Sequence, residues 1–174
     1  MNITIIGTGN MAKGISTRLV SGGHVVALHA QDEAKGNELV ARLKTLSDSV
    51  EATIATVGSD TDEIVVLATP YTEVESIAEQ YSGFEGKIVV DITNPVDFNT
   101  FQLIPEPGQS GAQEIAKILP EATVVKAFNT TLAGPLEAGK VDGKELDVFI
   151  AGDDEAAKAK VSQLVKTSGM RPVD

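Results

Sequence analysis

The chain has 174 residues, 14 basic against 25 acidic, and a formal net charge of -11, a balance that disfavours nucleic acid or an anionic membrane surface as partner. It contains no cysteine, so thiol catalysis, disulfides and cysteine-based zinc sites are excluded. The length suits one domain over 1–174 that buries about 70% of its unfolded surface, and the aliphatic-rich composition, with only 4% aromatics, suits parallel strands covered by helices on both faces.

In chain order, the apolar run Ile3 to Ile6 predicts a first strand that stops at Gly7-Thr8-Gly9-Asn10-Met11-Ala12. A strand that ends in a glycine turn and enters a helix aims free backbone N–H groups and a positive helix end at one point, which suits a dinucleotide diphosphate. Gly7 permits the tight turn, Gly9 lets the backbone approach phosphates without a Cβ in the way, and Ala12 keeps the helix close to the strand. Met11, Ile15, Leu19 and Val20 recur at helical spacing, Gly22-Gly23 ends the helix, and Val25 to Leu28 is the next buried strand. Helix Asp32 to Leu46, a weaker strand Ala52 to Ala55, strand Ile64 to Ala68, helix Thr72 to Tyr81 and strand Ile88 to Ile92 follow. Pro95 to Ser110 is irregular, and loops of that length in compact domains are often functional. Helix Gly111 to Leu119, strand Thr123 to Phe128, a hairpin-like loop Pro135 to Glu145, strand Val148 to Ala151 and helix Asp154 to Ser168 complete the chain. This alternation predicts an α/β fold, a doubly wound and mainly parallel Rossmann-like sheet with helices on both faces.

In such a sheet ligands sit beyond the carboxyl ends of the strands. Three strand tips there carry short polar residues, two of them joined to prolines: Thr69-Pro70-Tyr71, Thr93-Asn94-Pro95 and Asn129-Thr130-Thr131. They suit a nicotinamide carboxamide and a flat partner ring, and taken singly each would equally serve as a turn or helix cap. Direct hydride transfer between rings needs stacking and exclusion of water more than acid or base help. The inventory agrees, since His24 and His29 are the only histidines and both flank the second strand, away from the nicotinamide side. No Ser-His-Asp set or metal-spaced histidine cluster is present, so no metal site is expected. Lys126 reads as a strand-end lysine that reaches solvent or structures the neighbouring loop, and Asp153-Asp154-Glu155 as a helix start matched to its dipole.

On these residues the chain resembles the NADP oxidoreductases dependent on the deazaflavin coenzyme F-420, a family similar to the cytosolic domain of transmembrane metalloreductases. The likeness runs nearly end to end, through I-I-G-T-G-N-M-A-K-G, G-G-H-V-V, I-V-V-L-A-T-P, I-V-V-D-I-T-N-P, V-V-K-A-F-N-T, A-G-D-D-E-A-A-K and G-M-R-P-V-D. It implies diphosphate contacts from Thr8, Gly9, Asn10 and Met11, and nicotinamide contacts around Ala68, Thr69 and Pro70. A second-substrate surface is implied near Asn94, Pro95, Phe128 and Asn129, with Thr93 beside it. The implied reaction is hydride transfer between NADP(H) and a deazaflavin such as F-420 or a flavin.

Two departures bear on that expectation. Members using NADP place a serine and arginines after the second strand to hold the ribose 2′-phosphate, whereas this chain has Ala30, Gln31 and Asp32. No guanidinium can form a bidentate grip there. His29, Gln31 and Lys35 are the candidates for a weaker site, and the choice between NADP and NAD stays open. Relatives also continue into helices that help close the deazaflavin cleft, whereas this sequence stops at Asp174; a shallower pocket, a partner subunit completing a homodimer, or further chain would each account for it. Pyrroline-carboxylate reductases and hydroxyacid dehydrogenases share G-x-G-N-M-A but place substrate contacts in a long C-terminal helical domain not seen here, and a nucleotide sensor without turnover is the non-enzyme alternative. No apolar run approaches the roughly 20 residues of a membrane span, and no leader precedes the first strand, so a cytoplasmic protein is expected, with a small-molecule redox acceptor as partner.

Overall fold

The computed structural model describes residues 1–46, 52–55 and 62–174. β1 (Asn2–Ile6) passes through α1 (Asn10–Ser21) to β2 (Val25–His29), and α2 (Glu33–Lys44) joins that strand to β3 (Ala52–Ala55). The second half begins with β4 (Ile64–Leu67), a 3-10 turn (Tyr71–Glu73), α3 (Val74–Gln80) and β5 (Ile88–Asp91). A small hairpin of β6 (Val96–Asp97) and β7 (Gln102–Leu103) leads to α4 (Gly111–Ile118) and β8 (Thr123–Ala127). The chain closes with α5 (Ala133–Ala138), the hairpin β9 (Lys140–Val141) and β10 (Lys144–Glu145), β11 (Asp147–Ala151), α6 (Glu155–Thr167) and β12 (Arg171–Val173).

The strand order of the main sheet is β12-β11-β8-β5-β4-β1-β2-β3. From β3 to β8 every neighbouring pair is parallel, β11 runs antiparallel to β8, and β12 is parallel to β11. The direction of winding reverses between β1 and β4, and their carboxyl ends diverge into the crevice where such sheets bind ligands.

Burial on both faces explains the unbroken aliphatic strands. Ile64 and Val66 join one core with residues of α1, α2, α5 and α6, whereas Val65 and Leu67, one residue out of phase, join the other with α3 and α4. Each fully buried Ile or Leu contributes about 1.5–3 kcal/mol, so slipping one strand by a residue would exchange both faces at once.

The sheet and its winding are as expected from the sequence, with corrections at the edges. The stretch expected as a hairpin-like loop over 135–145 is a hairpin only from Lys140 to Glu145; before it stands α5, which tolerates Pro135 because that residue lies in the first turn. Gly139 ends α5 in the left-handed conformation, φ 70°. Glu137 on α5 ion-pairs with Lys13 of α1 and Arg42 of α2. The irregular stretch 95–110 contains the β6–β7 hairpin, and β12 is an additional edge strand whose Pro172 costs no inner ladder bond. Arg171 holds β12 to β11 through paired 2.6 Å bonds from its Nε and Nη2 to the Asp147 carboxylate. Among the described residues, no helix is long and apolar enough to cross a membrane.

His29 is 1% exposed, its ring 5.1 Å from that of Tyr81 and tilted against it. Neither ring nitrogen has a partner among the described residues. Burial pushes its pKa below the ordinary 6.5, outweighing the attraction of Asp62. His24 is displaced in the same direction, by burial and then the N-terminal ammonium, while its Nε2 and the Thr167 hydroxyl share a 2.8 Å bond. Both imidazoles therefore fold neutral. Their contribution is complete above 6.5, where the unfolded chain is also neutral, and is lost as pH falls below it, because the unfolded state then binds more protons. We expect the denaturation midpoint to fall between pH 7 and pH 5. In His29→Leu, urea titrations should show a gain of about 1 kcal/mol at pH 7, from removal of two unpaired polar atoms, and a shallower acid decline.

Candidate functional site

The turn after β1 sets the geometry of the cleft. Gly7 has φ 116°, and a Cβ placed there would stand 2.4 Å from the carbonyl oxygen of Ala68. Two strands from opposite halves of the sheet thus approach at a point only glycine can occupy. Gly7 also donates its N–H to the His29 carbonyl at 3.0 Å, so its own amide is turned away from a ligand.

Gly9 has a different reason. It is the N-cap residue of α1 with φ -74°, a conformation open to any residue, and a Cβ there would meet no atom within 4 Å. Neither backbone nor packing requires glycine at this position, whereas close approach by a ligand does. The helix it begins supports that conclusion. α2, α4 and α6 are capped by the side chains of Asp32, Ser110 and Asp154 and have Glu33, Glu114 and Glu155 in their first turns. α1, equal in length to α2, has neither a side-chain cap nor an acidic residue there, which leaves its amides and positive end for an external anion.

In front of this helix start is a cavity of about 410 Å³. Gly9, Asn10 and Met11 form one wall, and Ala68, Thr69 and Pro70 the opposite one. Thr93 and Asn94 border it from the β5 tip. The Oγ1 atoms of Thr69 and Thr93 are buried without a hydrogen-bond partner among the described residues. A buried orphan hydroxyl costs about 1–3 kcal/mol, and two of them beside one cavity fit an amide-bearing ring. The diphosphate-and-nicotinamide arrangement therefore suits the residues present: open amides at one end, unpaired hydroxyls at the other.

The remaining expected residues have other positions. Thr8 lies on the turn between Gly7 and Gly9, and Ala12 is buried against the sheet. His29 is withdrawn from the ribose-phosphate role, because its imidazole is enclosed on the α3 face and disfavours a charge. Gln31 is exposed at the tip of β2. Lys35 stands 3.3 Å from Asp32, whose Oδ1 accepts from the amides of Ala34 and Lys35, so this carboxylate serves as a helix cap. Phe128 is corrected as well. It is fully buried in the core rather than on a substrate surface, and its φ of 63° turns the chain so that Asn129 emerges. Such a left-handed non-glycine residue costs on the order of 1 kcal/mol or more.

Asn129 and Asn94 hold each other reciprocally. The Asn94 Nδ2 donates to the Asn129 carbonyl at 3.1 Å, and the Asn129 Nδ2 donates to the Asn94 Oδ1 at 3.2 Å. Beneath them the Lys126 ammonium is 2.7 Å from the fully buried Asp91 carboxylate and also donates to the Thr93 carbonyl. Lys126 thus structures the loop instead of reaching solvent. Asp91 also accepts from the Thr93 amide at 2.7 Å, fixing the tip that carries Thr93 and Asn94.

Tyr71, at the expected β4 tip, also borders the cavity, as do Thr72, Ile92, Val96, Phe98 and Ile104, which are absent from the sequence-based site. Tyr71 donates to Glu114 on α4, and burial, then this carboxylate, raise its phenol pKa well above the ordinary 10.0. The available signal was the large apolar side chains of Phe98, Phe101, Leu103 and Ile104, set in a stretch otherwise rich in proline and polar residues.

Two measurements check these assignments. Gly7→Ala should lose more than about 2 kcal/mol in denaturant unfolding, whereas Gly9→Ala should unfold within about 0.5 kcal/mol of the parent yet bind NADPH at least about tenfold more weakly by fluorescence titration. Lys126→Met should cost about 3 kcal/mol by isolating a buried carboxylate, and adding Asp91→Asn should recover part of it.

Residues 2–95 match the family described as NADP oxidoreductase, coenzyme F420-dependent. Metalloreductase STEAP3 of Rattus norvegicus is 33% identical over 172 residues, covering 99% of this chain and 33% of that protein. The chain therefore spans about a third of the length of the curated relatives it matches. A hypothetical protein from Sinorhizobium meliloti has the same fold with TM-score 0.84 and 28% identity over 100% of this chain and 84% of its own. The structure described as a putative F420-dependent NADP-reductase from Arthrobacter sp. FB24 superposes with TM-score 0.77 and 30% identity, over 99% of this chain and 83% of its own. An imine reductase from Streptomyces aurantiacus, at 18% identity and TM-score 0.68, shares the fold alone. With more than half of its length matched, the β1–α1 turn included, the chain belongs to the coenzyme F420-dependent NADP oxidoreductase family.

Proposed function

We propose that this protein transfers a hydride between NADP(H) and a flat ring acceptor of the deazaflavin or flavin class. The observation that carries the reading is the cavity between β1 and β4, where the bare Gly9 backbone and an uncapped helix start face the unpaired hydroxyls of Thr69 and Thr93. The amides of Thr8 to Met11 hold the diphosphate, and Thr69 and Thr93 orient the carboxamide. Met11, Ala68 and Pro70 exclude water from the reacting face. When bound, the reduced cofactor supplies a hydride; the nicotinamide is oxidised and the acceptor ring reduced, with any further proton drawn from solvent.

What the protein must do is hold two rings within about 3–3.5 Å. The surrounding groups suit that task and no proton-transfer role. The Tyr71 phenol is kept protonated by burial and Glu114, and His29 is enclosed against Tyr81 on the α3 face of the sheet. The ribose subsite at Gln31 and Lys35 has no guanidinium, so discrimination between NADPH and NADH is expected to be modest.

Stopped-flow absorbance at the nicotinamide band tests the reading. NADPH should be oxidised by deazaflavin or flavin acceptors with no imino or keto acid present. A strict requirement for an imino or keto acid would overturn the acceptor class, and NADPH binding with no turnover on any acceptor would make the protein a sensor.

A further inference from the structure

Beside the nicotinamide cavity lies a second and larger one of about 910 Å³, and Asn94 borders both. It extends past Asn129 and Lys126, between the start of α4 and the turn before α6. The β6–β7 hairpin stands between the two. Phe98 and Ile104 face the first cavity, and Leu103 and Pro105 face the second. Phe98 is 75% exposed, Leu103 74% and Phe101, at the tip, 81%. Phe98 and Leu103, large apolar side chains left this open on the borders of two adjacent cavities, are suited to a flat apolar ligand laid against them.

The charges around the larger cavity narrow the ligand further. Among the described residues bordering it, the charged ones are Lys126, Asp153 and Asp154. Lys126 is neutralised by Asp91. The starts of α4 and α6 each supply roughly +0.5 charge, but the α4 capping box already uses the amides of Ser110 and Gln113, and Asp154 offsets its own helix. With Asp154 committed to α6 and Lys126 to Asp91, the exposed Asp153 carboxylate outweighs the partial charge left at α4, so the cavity disfavours anions.

We propose that the acceptor spans both cavities, its redox ring over the nicotinamide against Phe98 and Ile104, and its side arm, uncharged, beside Asn94 in the cavity bounded by Asp153. This rests on the hydride-transfer reading and specifies its acceptor: a flavin-type ring with a neutral polyol arm is preferred over the same ring with a phosphorylated arm. The polar lining from Asn94, Gln109, Ser110 and Gln113 offers hydrogen bonds to hydroxyls.

Riboflavin and FMN have the same ring and differ by one phosphate, which makes them the test pair. With the parent protein and NADPH at low salt, kcat/KM for riboflavin should exceed that for FMN by about fivefold, and the ratio should shrink as salt screens the Asp153 carboxylate. Asp153→Lys, at an exposed position whose fold is verified by its Tm, should bring the ratio to one or below. Phe98→Ala should raise KM for both flavins equally, and by a larger factor than it raises the Kd for NADPH. An FMN rate equal to or above riboflavin at low salt, or a ratio indifferent to Asp153→Lys, overturns the neutral-arm assignment while hydride transfer stands. An unchanged flavin KM in Phe98→Ala overturns the placement of the ring. Oxidation of NADPH by neither flavin nor a deazaflavin overturns the hydride-transfer reading and this assignment with it, an outcome separable because NADPH binding is measured independently.

Discussion

The approach of the Gly7 backbone to the Ala68 carbonyl is the constraint from which the site follows. Any side chain at residue 7 would enter the β4 tip, so the close pairing of β1 with β4 and the cleft beyond it require one residue type. From that contact α1 departs at an angle that turns its free amides toward the gap between the two halves of the sheet. The same crossing of topology that separates the two windings also leaves room for a ligand.

The opposite wall is held by charge. Asp91 is completely enclosed and would be costly alone; Lys126 and the Thr93 amide satisfy it, and together they lock the β5 and β8 tips. The asparagine pair and the left-handed Phe128 extend that locked region to the second cavity. One side of the cleft is therefore made by bare backbone and the other by a buried ion pair, and both are held by contacts within the chain itself.

Much of this was legible in the sequence, for identifiable reasons. The parallel sheet announces itself because strands buried on both faces cannot hide their aliphatic runs, and Gly7 to Ala12 lies where strand passes into helix. Thr69, Thr93 and Asn94 could be expected to border one cavity because in this topology the crevice lies beyond the strand ends. What escaped depends on contacts distant in sequence. Whether His29 and Phe128 face solvent or core is decided by the Tyr81 ring, the helix packing and a left-handed turn, none of which has a local pattern. The α5 helix was concealed by Pro135 and two flanking glycines, and Phe98 by an irregular segment whose hairpin pairs only two residues on each strand.

The neighbours of β1 come from both halves of the chain, with Ile3 opposite Val26 on one side and Ile64 on the other. The second of these joins segments some sixty positions apart, and such loop closures are the slow ones in folding. Each half can collapse around its own helices, but the cleft comes into being only when the two meet. Nucleotide affinity during refolding should consequently lag behind helix formation, so an immature chain does not hold its coenzyme.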